Sequence, residues 1–245
     1  MYPFRQGRRN REFPPEAGRQ GAGILDDGRA LCYFPSVNGF PRPASPPFDK
    51  GLPVRVISGS AKGKRLAAFP GGTIRPTPDR VREALFSILF SRLGPLEGKT
   101  VLDLFAGTGA MALEALSRGC RRAVLVDQSQ EAARIIPANL KTCGLEERVT
   151  HIRADVLQIL PRLKNEGPFD LIFLDPPYGR DLVPKVIKSA CDLELLAPRG
   201  VVCAESARDD AVPETIGELI RVDERRYGST SIHLFTRPES EAEAT

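Results

Sequence analysis

Residues 174–179 read Leu-Asp-Pro-Pro-Tyr-Gly. Two consecutive prolines stiffen the backbone, because each ring locks φ and removes an amide donor. Asp175 supplies acceptor oxygens, and the Pro176 carbonyl supplies another that no helix or strand partner need occupy. Pro177 holds the turn, and Tyr178 offers a flat face for stacking. Together these groups make a receptor for a planar ring that carries an exocyclic amino group. The plain structural alternative is a stiffened loop in which Asp175 caps a helix.

A second cluster begins at Asp103 and runs Asp103-Leu104-Phe105-Ala106-Gly107-Thr108-Gly109. Glycines between a strand and a helix let the backbone approach a ligand and aim helix N–H groups at it. Asp127 lies 20 residues after Gly107, at the end of the next apolar run, where a carboxylate can accept from ribose hydroxyls. This satisfies a dinucleotide fingerprint, and a tight turn needing glycine satisfies it too. Asp103 argues against a dinucleotide, since an acid is hard to place beside a pyrophosphate. It suits a cation, such as the sulfonium and amino group of S-adenosylmethionine (SAM). In Ala154-Asp155-Val156, Asp155 can accept from an adenine amino group while the Val156 N–H donates to the ring. A helix N-cap explains Asp155 equally well.

The surrounding pattern says what positions these groups. Residues 100–104, 123–127, 149–153, 170–174 and 200–205 are short apolar runs. Helical stretches separate them: residues 110–118, closed by Gly119, and 129–143, ended by Gly144, with Pro137 expected to kink the second. Strands alternating with helices predict an α/β fold with a doubly wound, mostly parallel sheet, Rossmann-like and seven-stranded. Residues 221–227 and 231–236, joined at Gly228, predict an antiparallel finish.

Ahead of this body, residues 55–57 and 64–66 flank Ser58-Gly59-Ser60-Ala61-Lys62-Gly63 and predict a β-hairpin. Thr77 is a good N-cap and Pro78 a good first residue for a helix reaching about Phe90. Residues 1–53 hold nine prolines and seven glycines, a composition that suits a disordered tail. Their arginines permit a transit peptide, which Glu12, Glu16, Asp26 and Asp27 oppose. Residues 239–245 form a short acidic tail. The domain reading is therefore 1–53 tail, 54–98 basic extension, 99–238 catalytic domain and 239–245 tail.

Charge follows the same division. The chain carries 35 basic and 31 acidic side chains. Residues 54–85 hold seven of the basic and two of the acidic ones, against 20 and 24 over residues 86–245. A basic extension on an acidic body points to a polyanion partner. No apolar run approaches a membrane span, which excludes a transmembrane protein. Five widely spaced cysteines with no C-x-x-C pair exclude a disulfide scaffold, and His151 and His233 alone make a zinc cluster improbable. No metal is expected.

The combination DLFAGTG and LDPPYG resembles the SAM-dependent amino-methyltransferases. The stretch RVISGSAKGKRLAAFPGGTIRPTPDRVREALFSIL, with EALSRG and VLVDQS, resembles the RsmD family of 16S ribosomal RNA guanine-N2 methyltransferases. The resemblance spans about residues 54–237. Gln128 after Asp127 and Pro137 inside a helix depart from the family pattern.

The resemblance implies a class I methyltransferase fold with SAM along Asp103, Phe105, Gly107, Thr108 and Gly109. It implies Asp127, with Gln128 beside it, at the ribose, Asp155 and Val156 at the adenine, and Thr77 near the methionine carboxylate. Asp175, Pro176, Pro177 and Tyr178 would hold a flipped guanine. Arg55, Lys62, Lys64, Arg65, Arg75, Arg80 and Arg82 would meet RNA phosphates. The expected partner is 16S rRNA within an assembling small ribosomal subunit, and the expected enzyme is a cytoplasmic monomer. An adenine-N6 or protein-glutamine methyltransferase, an NAD-linked oxidoreductase and a noncatalytic RNA-binding protein are the competing readings.

Overall fold

The computed structural model describes residues 54–69 and 78–238. The expectations for residues 1–53, for Arg75 and Thr77 and for the acidic tail lie outside the described residues.

One sheet organises the chain. Strands β1 (Thr100–Leu104), β2 (Arg122–Asp127), β3 (Val149–Arg153), β4 (Phe169–Leu174) and β5 (Leu196–Ala207) are parallel, in the spatial order β3-β2-β1-β4-β5. Beyond β5 the sheet turns antiparallel through β6 (Thr215–Ile216), β7 (Leu219–Tyr227) and β8 (Thr230–Thr236), in the order β5-β8-β7-β6. Among the described residues the sheet has eight strands where the pattern predicts seven. The additional one, β6, is a two-residue pairing with β7, too short to leave a period in the sequence.

The strands are apolar on both faces because helices cover both, as parallel sheets require. Period-2 alternation sorts their side chains into two cores. Val101, Leu125, Leu171, Phe173, Val201 and Cys203 face α1 (Asp79–Leu93), α2 (Ala110–Ser117) and α3 (Gln130–Cys143). Leu102, Leu104, Val124, Ile172, Leu174, Val202 and Ala204 face α4 (Val156–Ile159) and α5 (Leu182–Asp192).

Local predictions mostly hold to within one or two residues. Ser129 caps α3 by accepting from the Ala132 N–H at 2.9 Å, and Gly144 ends it in the left-handed region. The helix runs unbroken through Pro137, which lies on the solvent face, where the carbonyl it leaves unpaired can meet water. At α1 the prediction is one residue early. Pro78 occupies the cap position, with no side-chain cap, and Asp79 is the first helical residue.

The predicted N-terminal hairpin is reduced to a single antiparallel bridge between Arg55 and Arg65. The body, more than its own ladder, holds it. Val54, Val56, Ala61 and Leu66 enter the core beside α2. The buried Glu114 carboxylate of α2 accepts from the Ile57 N–H at 2.6 Å and the Ser58 N–H at 3.1 Å. Ser117 Oγ accepts from the Ala61 N–H at 2.9 Å, and the Ser60 N–H donates to the Ser117 carbonyl at 2.8 Å. At Gly59, with φ near +83°, any Cβ would sit 1.7 Å from that carbonyl oxygen, so only glycine fits the contact.

Candidate active site at the carboxyl edge of the sheet

Each of the four central parallel strands delivers an acid to the same edge. Asp103 is the penultimate residue of β1 and Asp127 the last of β2. Asp175 follows β4 directly, and Glu205 lies near the end of β5. Parity puts them on one face. Asp103 alternates with Leu102 and Leu104, and Glu205 with Ala204, so both point to the α1–α3 side. Such an edge is where open α/β sheets bind ligands.

Asp103 is buried, and its Oδ2 accepts from the Ala112 N–H in the first turn of α2 at 3.2 Å. Burial, followed by the charge of Asp127, raises its pKa to about 7, against the opposing pull of that N–H. A carboxyl so placed is discharged by a proton or by a bound cation. The chemistry of the site therefore fits a sulfonium or ammonium group.

The glycine loop follows directly after β1. Phe105, with φ near +64°, is a strained non-glycine residue that turns the chain after β1. Gly107 and Gly109 are also left-handed, and Gly109 caps α2. Asp127 ties the loop down: its Oδ2 accepts from the Gly107 N–H at 2.8 Å and its Oδ1 from the Ser129 N–H at 2.7 Å. Gln128 is exposed beside it. The Thr108 carbonyl accepts from the buried Asn139 Nδ2 at 2.9 Å. Asn139 also exchanges hydrogen bonds with the Ala67 backbone, at 2.7 and 3.1 Å, so one side chain ties the N-terminal extension to the glycine loop.

Asp155 is the N-cap of α4, accepting from the Gln158 N–H at 3.1 Å. That structural role accounts for one of its oxygens. Val156 is buried at the start of the same helix.

On the other side of Asp103 lies the Asp175–Tyr178 loop. Pro176 is buried, while Asp175, Pro177 and Tyr178 reach solvent. Partial desolvation of its carboxyl, then the charges of Glu205 and Asp103, hold the Asp175 pKa above the usual carboxylate value. The Tyr178 hydroxyl donates to Glu205 Oε1 at 2.8 Å and lies 3.1 Å from Thr230 Oγ1. Desolvation and that carboxylate push the phenol up to about 12, against the effect of Thr230. Beneath the acids, burial followed by Glu205, Asp175 and Asp103 raises the Cys203 thiol far above its usual value, so it is an inert part of the core. A cleft of about 310 Å³ opens beside Tyr178, between Leu182 and Val183 of α5, Glu205 and Val212. It lies towards α5, and Asp103, Gly107 and Asp127 do not line it.

The basic residues divide. Lys62, Lys64, Arg65 and Arg80 are exposed. Arg55 is exposed but paired with Asp79 at 2.9 Å. Arg82 contradicts its expected role at a phosphate. It is only 1% exposed, and its Nη2 donates to the Arg55 carbonyl and, at 2.8 Å, to Asp79 Oδ1. Helical periodicity places Arg82 on the inward face of α1, where it joins the helix to the extension.

Sequence reasoning passed over Glu205, Glu114, Ser117 and Asn139. Glu205 had a signal: like Asp103 and Asp127, it is an acid at the carboxyl end of a buried apolar run.

A family model described as conserved hypothetical protein 95 matches residues 54–236. The chain is 37% identical over 186 residues to YlbH of Bacillus subtilis (strain 168), covering 75% of this chain and 99% of that protein. It is 31% identical over 186 residues to ribosomal RNA small subunit methyltransferase D of Escherichia coli (strain K12), covering 75% of this chain and 90% of the other. Among solved structures, a hypothetical protein of Thermus thermophilus superposes with a TM-score of 0.64 at 32% identity, over 76% of this chain and 99% of that one. With a buried acid beneath a glycine loop, an Asp-Pro-Pro-Tyr turn beside it and relatives matched over most of their length, the chain belongs to the RsmD family of SAM-dependent methyltransferases.

Proposed function

We propose that this chain methylates the exocyclic N2 of a guanine in 16S rRNA, presented by an assembling small ribosomal subunit. The observation that carries the reading is the Asp175–Tyr178 loop, set at the carboxyl edge between the cation-seeking Asp103 and the acceptor Glu205. The named activity of the Escherichia coli relative supports the RNA substrate.

SAM supplies an electrophilic methyl group on a sulfonium. Asp103 holds the cationic end of the cofactor, and the backbone from Phe105 through Thr108 to Gly109 frames it. Each Asp127 oxygen accepts one backbone N–H and keeps a second lone pair for a ribose hydroxyl. The second oxygen of Asp155 meets the adenine amine, with the Val156 N–H beside it. The guanine amine is a weak nucleophile because its lone pair is delocalised into the ring. Asp175 and the Pro176 carbonyl accept its two hydrogens, which favours a pyramidal nitrogen with its lone pair aimed at the methyl carbon. Pro177 fixes the turn, and Tyr178 stacks on the extruded base. Positioning and preorganised charge provide most of the acceleration, and Asp175 or water takes the proton. Lys62, Lys64, Arg65 and Arg80 meet phosphates and make binding salt-dependent; Arg55 joins them at the cost of its pairing with Asp79.

The test is to incubate small-subunit particles from a strain lacking the gene with the protein and labelled SAM, then digest the RNA and identify the product by mass spectrometry. N2-methylguanosine is expected. N6-methyladenosine, or no label in RNA, overturns the reading.

Asp103 also gives SAM binding a pH dependence. In the ligand-free protein its carboxyl holds a proton up to about pH 7, while the unfolded chain releases it near pH 4. The stability that this difference confers declines as pH rises through that window. A bound cation reverses the preference, since it requires the ionised form. SAM should therefore bind up to about tenfold more tightly at pH 8 than at pH 6, with proton uptake by the buffer at the lower pH. Calorimetry in two buffers of different ionisation heat measures both. Asp103→Asn should weaken binding and flatten the dependence; equal affinity at both pH values in the unmodified protein would remove Asp103 from the cation site.

A further inference from the structure

We infer that Glu205 is the guanine-selecting residue of the target pocket, accepting the N1–H of the base while Asp175 and Pro176 hold its N2 amine. The inference rests on the guanine-N2 reading above and adds to it a residue and a reason for specificity.

Register places the residue. Leu174 of β4 pairs with Ala204 of β5, so the next residues along the two parallel strands, Asp175 and Glu205, emerge side by side. Glu205 is only partly buried, and its Oε1 holds the hydroxyl of Tyr178, the proposed stacking ring. A base laid against that ring presents its Watson–Crick edge to the acids behind it. Guanine offers two neighbouring donors there, N1–H and N2–H. Adenine offers one donor and, at N1, an acceptor. A pair of adjacent carboxylates complements the first edge and repels the second. Asp175 alone accounts for an amine; a second acceptor one strand away accounts for the choice of purine. The charge that Glu205 imposes on Asp175 agrees with their proximity.

The two functions of Glu205, reading the base and orienting Tyr178, are separable. The methylated nucleotide is first located by mass spectrometry of RNA treated with the unmodified protein. That RNA is then rebuilt with guanine or with 2,6-diaminopurine at the same position. The analogue keeps the N2 amine and exchanges the N1–H donor for an acceptor. The unmodified protein should prefer guanine by about tenfold or more in kcat/KM, the scale of one base-edge contact. Glu205→Gln introduces an amide donor and should reduce that preference to within about threefold. Tyr178→Phe, which removes the hydroxyl and keeps the ring, should lower kcat with the preference intact. SAM affinity, measured in parallel, should be unchanged in both variants.

Each failure is distinct. If the first step finds no N2-methylguanosine, the reading beneath the inference falls. If guanine is methylated but Glu205→Gln retains the full preference, Glu205 does not read N1–H. If Tyr178→Phe loses the preference as fully as Glu205→Gln, Glu205 acts only by positioning the ring.

Discussion

Replacing Asp175 by alanine should cut methyl transfer by at least about a hundredfold, the low end for removing a preorganised polar group from a reacting centre. SAM affinity measured by calorimetry should stay near that of the unmodified protein. The separation follows from position. Asp103 of β1 and Asp127 of β2 hold the glycine loop and the first turn of α2, whereas Asp175 lies past the end of β4, beside Glu205 and Tyr178. Its raised pKa adds a sign. The ionised carboxylate is the stronger acceptor of an amine hydrogen and the only form that can take the proton, so turnover should rise with pH through the region where Asp175 loses its proton. In Asp175→Asn one acceptor oxygen survives and that ionisation disappears, so part of the activity should remain and its pH dependence should flatten. Asp127→Ala should behave oppositely, weakening SAM first, because it frees the Gly107 N–H and slackens the loop. Loss of SAM affinity in Asp175→Ala, with normal turnover at saturating cofactor, would move the whole Asp-Pro-Pro-Tyr turn to the cofactor.

Glu114→Ala should destabilise the protein by about 3 kcal/mol, the lower end for breaking a buried charged network by removing one partner. The carboxylate is fully buried and accepts from the Ile57 and Ser58 amides and from Arg118 Nε at 2.7 Å. Arg118 in turn lies over the Phe86 ring of α1, 4.7 Å from its centre. Alanine leaves two amides and a guanidinium without their acceptor at the seam between extension and body. For a folded region of this size the change corresponds to roughly 6–12 °C in Tm. Glu114→Gln keeps one acceptor oxygen and should lose less. Limited proteolysis gives an independent readout, since the segment from Val54 to Leu66 should become cleavable before the sheet does. An unchanged Tm together with an unchanged digestion pattern would show that apolar burial alone holds the extension.

How much of this was legible beforehand depends on the range of the interaction. The strands from Thr100 onward and the helices α2 and α3 follow from side-chain period, because alternation of 2 and of 3.6 is written in neighbouring residues, whereas β6, the short α4, the helix α5 and the first four residues of β5 were not read from it. The acid after each apolar run, the glycines after β1 and the Asp-Pro-Pro-Tyr turn are equally local, so SAM chemistry was readable from spacing and from family resemblance, and with it the expectation of an amine-bearing base. The sequence also carried EALSRG and ISGSAKG as separate motifs. Only the fold brings them together as a lock, with Glu114 and Ser117 of one closing on the backbone of the other across more than fifty residues. Arg82 shows the same limit from the other side. A basic residue in a basic stretch reads as a phosphate contact, yet the inward face of α1 is defined only by what it packs against, and there Arg82 is buried. Asn139, midway along α3, has no local mark of its double grip on Ala67 and Thr108. Glu205 ends its strand as visibly as Asp103 does, but its pairing with Tyr178 depends on strand order and register. Local chemistry determined which groups the edge of the sheet would carry; long-range register decided which of them stand next to one another, because hydrogen-bonded pairing between strands is set by the whole sheet and not by either strand alone.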